Sequence, residues 1–205
     1  LVIGNDIIHA DTKAGTTTAG TPLDIDSRFH RNFSRVRGMV TWAIKRSLQH
    51  AKIVRVVMVP GNHDTLSVWH VGDSLECLFV AEPRVIINNV PTMRKYLQWG
   101  KVMLMFTHGN TGRLRDYPLV MATEQPEMFG ATEFREAHTG DKHQTQVQEQ
   151  HGVRVRILPA LCPPDAWHSE NHFVGNQRSA EAFVWHREQG LVGTANYTIP
   201  RGAAA

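Results

Sequence analysis

Short apolar runs alternate along this chain with longer segments in which apolar residues recur every three or four positions. Residues 1–3 and 53–59 are almost wholly apolar and rich in β-branched residues, which is typical of buried strands. Between them, residues 27–49 carry a helical period, capped by Ser27 or Asp26. Strand, loop, helix and strand in this order predict a β-α-β unit with parallel strands and a right-handed crossover.

The same pattern continues to the end of the chain. It predicts a helix at 65–81, a strand at 84–89, a hairpin at 96–99 and 101–106, a mixed helical segment at 113–129, strands at 133–138 and 153–158, and a closing hairpin at 180–186 and 191–199. This alternation indicates an α/β fold. No repeat or linker interrupts it, so we expect a single domain over residues 1–205.

Composition restricts the class of protein. The 205 residues are 41% hydrophobic and 20% charged, which is normal for a globular domain. No apolar run approaches the length of a membrane span, and no secretory signal is visible. The chain opens on Leu1 inside an apolar run, so we expect its amino terminus to be truncated. Cys77 and Cys162 have no metal-type spacing, which favours a reducing, cytoplasmic location.

Polar residues capable of chemistry follow the predicted strands. They are Asp6 after the first strand, Asn62, His63 and Asp64 after the second, His108 after the run 102–106, and Asp141 and His143 after the strand 133–138. Ligands of α/β sheets bind at the carboxyl ends of strands, so these side chains are candidates for one site. Ordinary turns remain the alternative, because Gly, Asn and Asp are common turn residues.

The ordered motifs Gly-Asn-Asp, Gly-Asn-His-Asp, Thr-His-Gly and Gly-Asp-x-His resemble those of the calcineurin-like metallophosphoesterases. Within that superfamily the chain is similar to the exonuclease branch, which includes DNA-repair nuclease subunits and phage proteins. The resemblance implies a metallophosphoesterase-type β-sandwich of two mixed sheets flanked by helices, here lacking its first strand. It also implies two divalent metal ions. Manganese is the expected metal, and iron, zinc and magnesium are the alternatives.

The resemblance also implies roles for individual residues. Asp6 would bridge the two metals, Asn62 and His108 would bind the second, and His143 would bind the first. Asp141 would also be a metal ligand. His63 would face the scissile phosphate and assist the leaving oxygen after attack by a metal-bridging hydroxide, with Asp64 orienting its ring. Two metals can bind both phosphate oxygens and activate water in this way.

The chain departs from the family pattern at three places. The opening Asp-x-His motif is absent, which we attribute to truncation before Leu1, weak binding of the first metal being the alternative. Asp141 stands where the family has histidine, and should favour manganese or magnesium. Asn5 lies between Gly4 and Asp6, so a register slip of one residue would turn Asn5 toward the metals instead.

Four further residues are weaker candidates for substrate contacts: His9, Arg113, Arg115 and His168. Each has a plain structural alternative, such as a solvated helix face for the two arginines. The net charge of +3 and pI of about 9.1 are compatible with a polyanion such as DNA, and no membrane partner is expected. A homo-oligomer and an ATPase partner both remain open. If the protein is phage-encoded, we expect it in the host cytoplasm.

The sequence leaves three hypotheses for the function of the protein. The first is a two-metal phosphodiesterase acting on DNA as an exonuclease. The second is a phosphatase or small-molecule phosphodiesterase, since fold and metals do not fix the substrate. The third is a noncatalytic, metal-poor scaffold, suggested by the missing Asp-x-His motif and the exchange at Asp141.

Overall fold

The computed structural model describes residues 1–11, 15–17, 20, 22–23, 25, 28–163 and 175–200. The chain divides into two compact units, Leu1–Lys95 and Tyr96–Ala205, which we call the first unit and the second unit. Ser27 and Asp26, expected to cap the first helix, lie outside the described residues. None of the described helices is both long enough and apolar enough to cross a membrane.

The first unit contains a parallel sheet of three strands with helices packed on it. In chain order its elements are β1 (Val2–Gly4), α1 (Phe29–Ser47), β2 (Val54–Val59), α2 (Thr65–Leu78) and β3 (Val85–Asn88). The strand order is β1-β2-β3, and both pairings are parallel. The predicted β-α-β unit is therefore confirmed, and β1 and β2 end at the same edge of the sheet.

The core of the first unit follows from the two periods in the sequence. Alternate residues of β2 and residues three or four apart on each helix meet in one cluster: Val54, Val56 and Met58 from β2, Val40 and Ile44 from α1, and Val68, Val71 and Leu75 from α2. Successive strand residues face opposite sides of a sheet, so only every second residue of β2 can join the helices. This packing fixes the loops that leave β1 and β2.

The second unit contains a mixed sheet of five strands and a separate hairpin. Its elements are β4 (Arg94–Trp99), whose first two residues belong to the first unit, β5 (Val102–Thr107), α3 (Tyr117–Glu124), α4 (Pro126–Ala131), β6 (Phe134–Thr139), β7 (Gln146–Gln150), β8 (Val153–Ile157), β9 (Ser179–His186) and β10 (Gly190–Thr198). The sheet order is β4-β5-β6-β8-β7, with β9 and β10 forming the hairpin. β5, β6 and β8 are mutually parallel, whereas β7 runs antiparallel to β8.

The predicted α/β class, with several sheets flanked by helices, is confirmed. The pattern did not predict β7. Its sequence is Gln-Val-Gln-Glu-Gln, and none of its five residues is buried. A strand at a sheet edge needs no apolar face, so a reading based on hydrophobic alternation passes over it.

Candidate functional site

The first unit places its polar residues where β1 and β2 end. The Asn5 backbone N–H donates to the Val59 carbonyl oxygen at 3.1 Å, which ties the exit of β1 to the end of β2. Asn5 and Asp6 then adopt φ values of 60° and 64°. This left-handed region is uncommon for residues with a side chain, although Asn and Asp tolerate it best. The turn places the Asp6 side chain against the loop that follows β2.

Asp6 is held against that loop by its carboxylate. Its Oδ1 accepts the His63 backbone N–H at 2.8 Å, and its Oδ2 lies 3.9 Å from His63 Nε2. A Cβ added at Gly61 would lie 1.9 Å from Asp6 Oδ1 and 2.6 Å from the Asp6 nitrogen. Only glycine at position 61 allows this approach, because part of the obstruction is backbone that cannot move aside.

The His63 ring is oriented by a backbone carbonyl. His63 Nδ1 lies 3.1 Å from the His9 carbonyl oxygen, and the two imidazole rings have centroids 5.3 Å apart. A carbonyl oxygen can only accept a hydrogen bond, so Nδ1 must carry a hydrogen. Nε2, on the side of Asp6, is then the ring atom that can gain or lose a proton.

Asp64 does not orient His63 as the resemblance implied. Its side chain is 0% exposed, and its two oxygens accept the backbone N–H groups of Ile8 and Gly61, each at 3.0 Å. Burial raises the pKa of Asp64 to about 7, aided by the nearby charges of Asp6 and Asp11 and opposed by these two hydrogen bonds. Asp64 therefore joins the loop after β1 to the loop after β2.

Asp11 is a residue of this region that the sequence reading missed. Its Oδ1 and Oδ2 accept the backbone N–H groups of Ser67 and Leu66 at 2.8 and 3.0 Å. Both belong to the first turn of α2, whose N–H groups lack partners within the helix. Asp11 thus caps α2 from a position 55 residues away in sequence from Leu66. The signal in the sequence that could have identified Asp11 is the presence of an acidic residue soon after the strand-end motif.

The second unit brings two further candidates together. His108 follows β5, Asp141 follows the parallel neighbour β6, and His108 Nε2 lies 3.4 Å from Asp141 Oδ1. Lys142 Nζ lies 2.8 Å from the other Asp141 oxygen. The hydrogen bond from His108, with the contact to Lys142, lowers the pKa of Asp141 to about 2 against the effect of burial. Asp141 is therefore ionised at neutral pH.

The remaining candidates lie outside these two pairs. Asn62 is half-buried between Gly61 and His63, and the His143 carbonyl oxygen accepts a hydrogen bond from Asn176 Nδ2 at 2.8 Å. Arg113 is exposed. The exposed Arg115 places its Nε 3.8 Å from Asp116 Oδ1, which is the solvated ion pair of the plain alternative. His168 lies outside the described residues.

The described side chains provide metal donors in pairs. Within the part of the chain that the structure describes, no group of three or more His, Cys, Asp or Glu side chains is arranged to hold a metal ion. The donor types nevertheless suit a divalent cation, since carboxylate, amide and imidazole donors bind manganese, iron and zinc. Two metal-bound donors about 2.1 Å from a shared ion lie about 3.0–3.4 Å apart, depending on coordination geometry, which agrees with the 3.4 Å between His108 and Asp141.

Comparison with known proteins finds no family or sequence match and weak structural similarities. No protein-family model matches the chain, and no curated protein matches it. The similar solved structures include wild-type Vps29 complexed with Zn²⁺ from Entamoeba histolytica, at 13% identity and a TM-score of 0.45 over 78% of this chain and 84% of that chain. A conserved uncharacterized protein from Streptococcus pneumoniae TIGR4, a predicted phosphoesterase, is 12% identical with a TM-score of 0.27, covering 73% of this chain and 99% of its own.

A single mutant of the Entamoeba histolytica Vps29 is similar at 11% identity, with a TM-score of 0.41 over 78% of this chain and 89% of that chain. The exonuclease-like branch is not confirmed by these similarities.

Proposed function

We propose that this protein is a phosphoester hydrolase that requires divalent cations. One observation supports the proposal above all. In each unit, a carboxylate and an imidazole that follow parallel strands come together at the strands' carboxyl edge, as Asp6 with His63 and His108 with Asp141. Two acid–imidazole pairs at the edge where α/β proteins bind ligands are more than turn chemistry requires.

The metal donors that we propose are Asp6 and Asn62 in the first unit and His108, Asp141 and His143 in the second. When bound, divalent cations supply an activated hydroxide and neutralise charge on the phosphate oxygens. The low pKa of Asp141 suits this role, because the group presents an anionic oxygen at neutral pH without prior loss of a proton. Manganese remains the expected metal, with zinc, iron and magnesium as alternatives.

His63 is the residue that we assign to proton transfer. Its Nδ1 is engaged by the His9 carbonyl oxygen, and its side chain remains 20% exposed. The proton on Nε2 is therefore the one that can be given to a leaving oxygen. A positioned acid of this kind contributes about 10² to 10⁴ in rate.

The finer proposal is that the substrate is DNA, degraded as by an exonuclease. It is supported by the ordered strand-end motifs and by the basic pI of about 9.1. A phosphatase or small-molecule phosphodiesterase would use the same groups on a smaller ester. The two are separated by offering the full chain with manganese labelled single- and double-stranded DNA and, in parallel, bis(p-nitrophenyl) phosphate.

The roles of His63 and Asp6 are tested by substitution. We expect His63→Ala to keep its bound metal and lose about 10² to 10⁴ in turnover, and Asp6→Ala to lose metal as well as turnover. Metal content is measured by elemental analysis and turnover with both substrates. Asp73→Ala, which removes an exposed acid from α2, should change neither. Equal loss of metal from His63→Ala and Asp6→Ala would overturn the assignment.

A noncatalytic scaffold is the second candidate, and one observation favours it. The described residues offer metal donors in pairs and not in groups of three. Two metal equivalents per chain, with hydrolysis of either substrate, would rule the scaffold out. Less than one equivalent at saturating manganese, without hydrolysis, would instead remove the hydrolase proposal.

A further inference from the structure

The solvent-facing side of α1 carries a stripe of arginines with a tryptophan among them. Arg31, Arg35, Trp42 and Arg46 are all exposed. They follow one another at intervals of four, seven and four residues, so they lie on the same side of the helix. At 1.5 Å per residue the stripe is about 22 Å long. We call these four residues the α1 stripe.

Positive charge on α1 is not balanced on the helix itself. The helix contains five cationic side chains, Arg31, Arg35, Arg37, Lys45 and Arg46, and no Asp or Glu. Within the described part of the chain, no carboxylate pairs with an arginine of the stripe, and Arg46 donates to the neutral Gln49. Five cations and no acid give α1 a charge of +5 with His30 neutral, whereas the whole chain has a net charge of +3. The charge of α1 complements a polyanion.

Trp42 is 67% exposed, and Met39 beside it is 54% exposed. The helix has already buried its apolar side in the core of the first unit, through Val40 and Ile44. Trp42 therefore makes no contribution to that core. A large aromatic ring left in water between arginines offers a flat face for stacking.

We infer that the α1 stripe binds single-stranded nucleic acid. Its arginines would contact phosphates, and the Trp42 ring would stack on an unpaired base, the combination that sequence-tolerant single-strand binding uses. A duplex hides its base faces from such a ring. Binding to a membrane surface would need a free apolar helix face, whereas the apolar face of α1 already packs in the core of the first unit.

This inference deepens the proposed function by naming the substrate class and a surface that holds it. Binding is therefore measured with metal chelated, so that it does not depend on hydrolysis. If hydrolysis of bis(p-nitrophenyl) phosphate is present and binding to the stripe is absent, only the inference fails. If binding is present and hydrolysis is absent, only the proposed function fails.

The test compares variants of the full chain in EDTA by fluorescence anisotropy with a labelled oligothymidylate of about 15 nucleotides. We expect Trp42→Ala to weaken binding about tenfold, from the loss of one stacked base. We expect the combined variant Arg31→Gln, Arg35→Gln, Arg46→Gln to weaken it at least tenfold and to flatten the dependence of log affinity on log salt by about 2.

A matched control removes the same charge elsewhere. The combined variant Lys52→Gln, Arg84→Gln, Lys101→Gln should bind within about twofold of the parent. Lys52 and Arg84 are exposed, Lys101 is partly exposed, and all three lie off the stripe. Circular dichroism verifies that α1 is folded in each variant. Equal weakening by both triple variants, no effect of Trp42→Ala, or tighter binding to duplex DNA, to phosphatidylserine vesicles or to polyglutamate would each overturn the inference.

Discussion

The buried Asp64 carboxylate bridges two loops at the scale of single residues. It accepts one N–H from the loop after β1 and one from the loop after β2. We expect Asp64→Ala to lower the free energy of unfolding by about 3 kcal/mol, because it leaves two buried N–H groups without acceptors. Asp64→Asn should lose less, about 1–2 kcal/mol, since one acceptor oxygen remains.

Denaturant titration measures both losses, with the exposed Asp73→Asn as a control that should stay within about 0.5 kcal/mol of the parent. An Asp64→Ala protein as stable as the parent would contradict the bridging role.

Gly61 and Gly38 form a second comparison between residues. Alanine at position 61 would place Cβ 1.9 Å from Asp6 Oδ1, whereas alanine at position 38, within α1, meets no heavy atom within 4 Å. We expect Gly61→Ala to cost about 2 kcal/mol or more from overpacking and to displace Asp6, with loss of hydrolysis. Gly38→Ala should instead stabilise the protein by up to about 1 kcal/mol. Thermal unfolding and turnover are measured for both variants. Equal stability and equal turnover of Gly61→Ala and Gly38→Ala would contradict the close approach of Asp6 to position 61.

Among elements, α2 depends on a cap supplied by another part of the chain. The N-cap residue Asp64, which precedes the helix, makes no side-chain cap, and Asp11 accepts the first-turn N–H groups in its place. We expect Asp11→Ala to cost about 1–2 kcal/mol and Asp11→Asn less, because its amide oxygen still accepts one bond. Hydrogen exchange at Leu66 and Ser67 reports the loss directly. Unchanged protection there in Asp11→Ala would show that the cap contributes nothing.

In the second unit as a whole, a buried ionic network joins the five-stranded sheet to the β9–β10 hairpin. Glu136 Oε1 on β6 lies 3.0 Å from His138 Nε2 and 2.7 Å from Arg156 Nε. Arg156, on β8, also lies 3.9 Å from Glu181 and 4.9 Å over the Phe183 ring, both on β9. Burial raises the pKa of Glu136, but the hydrogen bonds from His138 and Arg156 outweigh it and leave the pKa below its usual value of 4.5.

The lowered pKa of Glu136 determines the direction in which the stability of the protein changes with pH. A carboxylate whose pKa is lowered on folding stabilises the protein above its unfolded pKa, here 4.5, and the stability is lost as the pH falls through the folded value. We expect Glu136→Gln to be less stable by about 3 kcal/mol at pH 7 and to lose less stability between pH 5 and about 3 than the parent does.

Urea titrations across this pH range provide the measurement. Glu133→Gln is the control, because Glu133 is 66% exposed and its pair with Lys101 spans 3.5 Å. The interpretation fails if the acid-side slope of Glu136→Gln equals that of the parent.

How much the sequence alone determined depends on the range of the interaction. Helices, most strands and the strand-end positions of Asp6, His63, His108 and Asp141 follow from hydrophobic periods and turn residues, which act within a few residues. The structure confirms the β-α-β unit. It also brings Asp6 to His63 and His108 to Asp141, two contacts that the sequence did not predict. The exposed strand β7 carries no such period, and its pairing with β8 was therefore not predicted.

Only the tertiary structure decided what each polar side chain contacts. Asp64 meets Ile8 across 56 positions, His63 meets the His9 carbonyl across 54, and Asp11 caps α2 across 55. The partners in all three contacts are backbone N–H and carbonyl groups. Nearly every residue carries such groups, so no side-chain motif in the sequence can predict these contacts. The packing of helices on the parallel sheet brings these backbone groups within reach, and with them it sets the orientation of the His63 ring and the burial of Asp64.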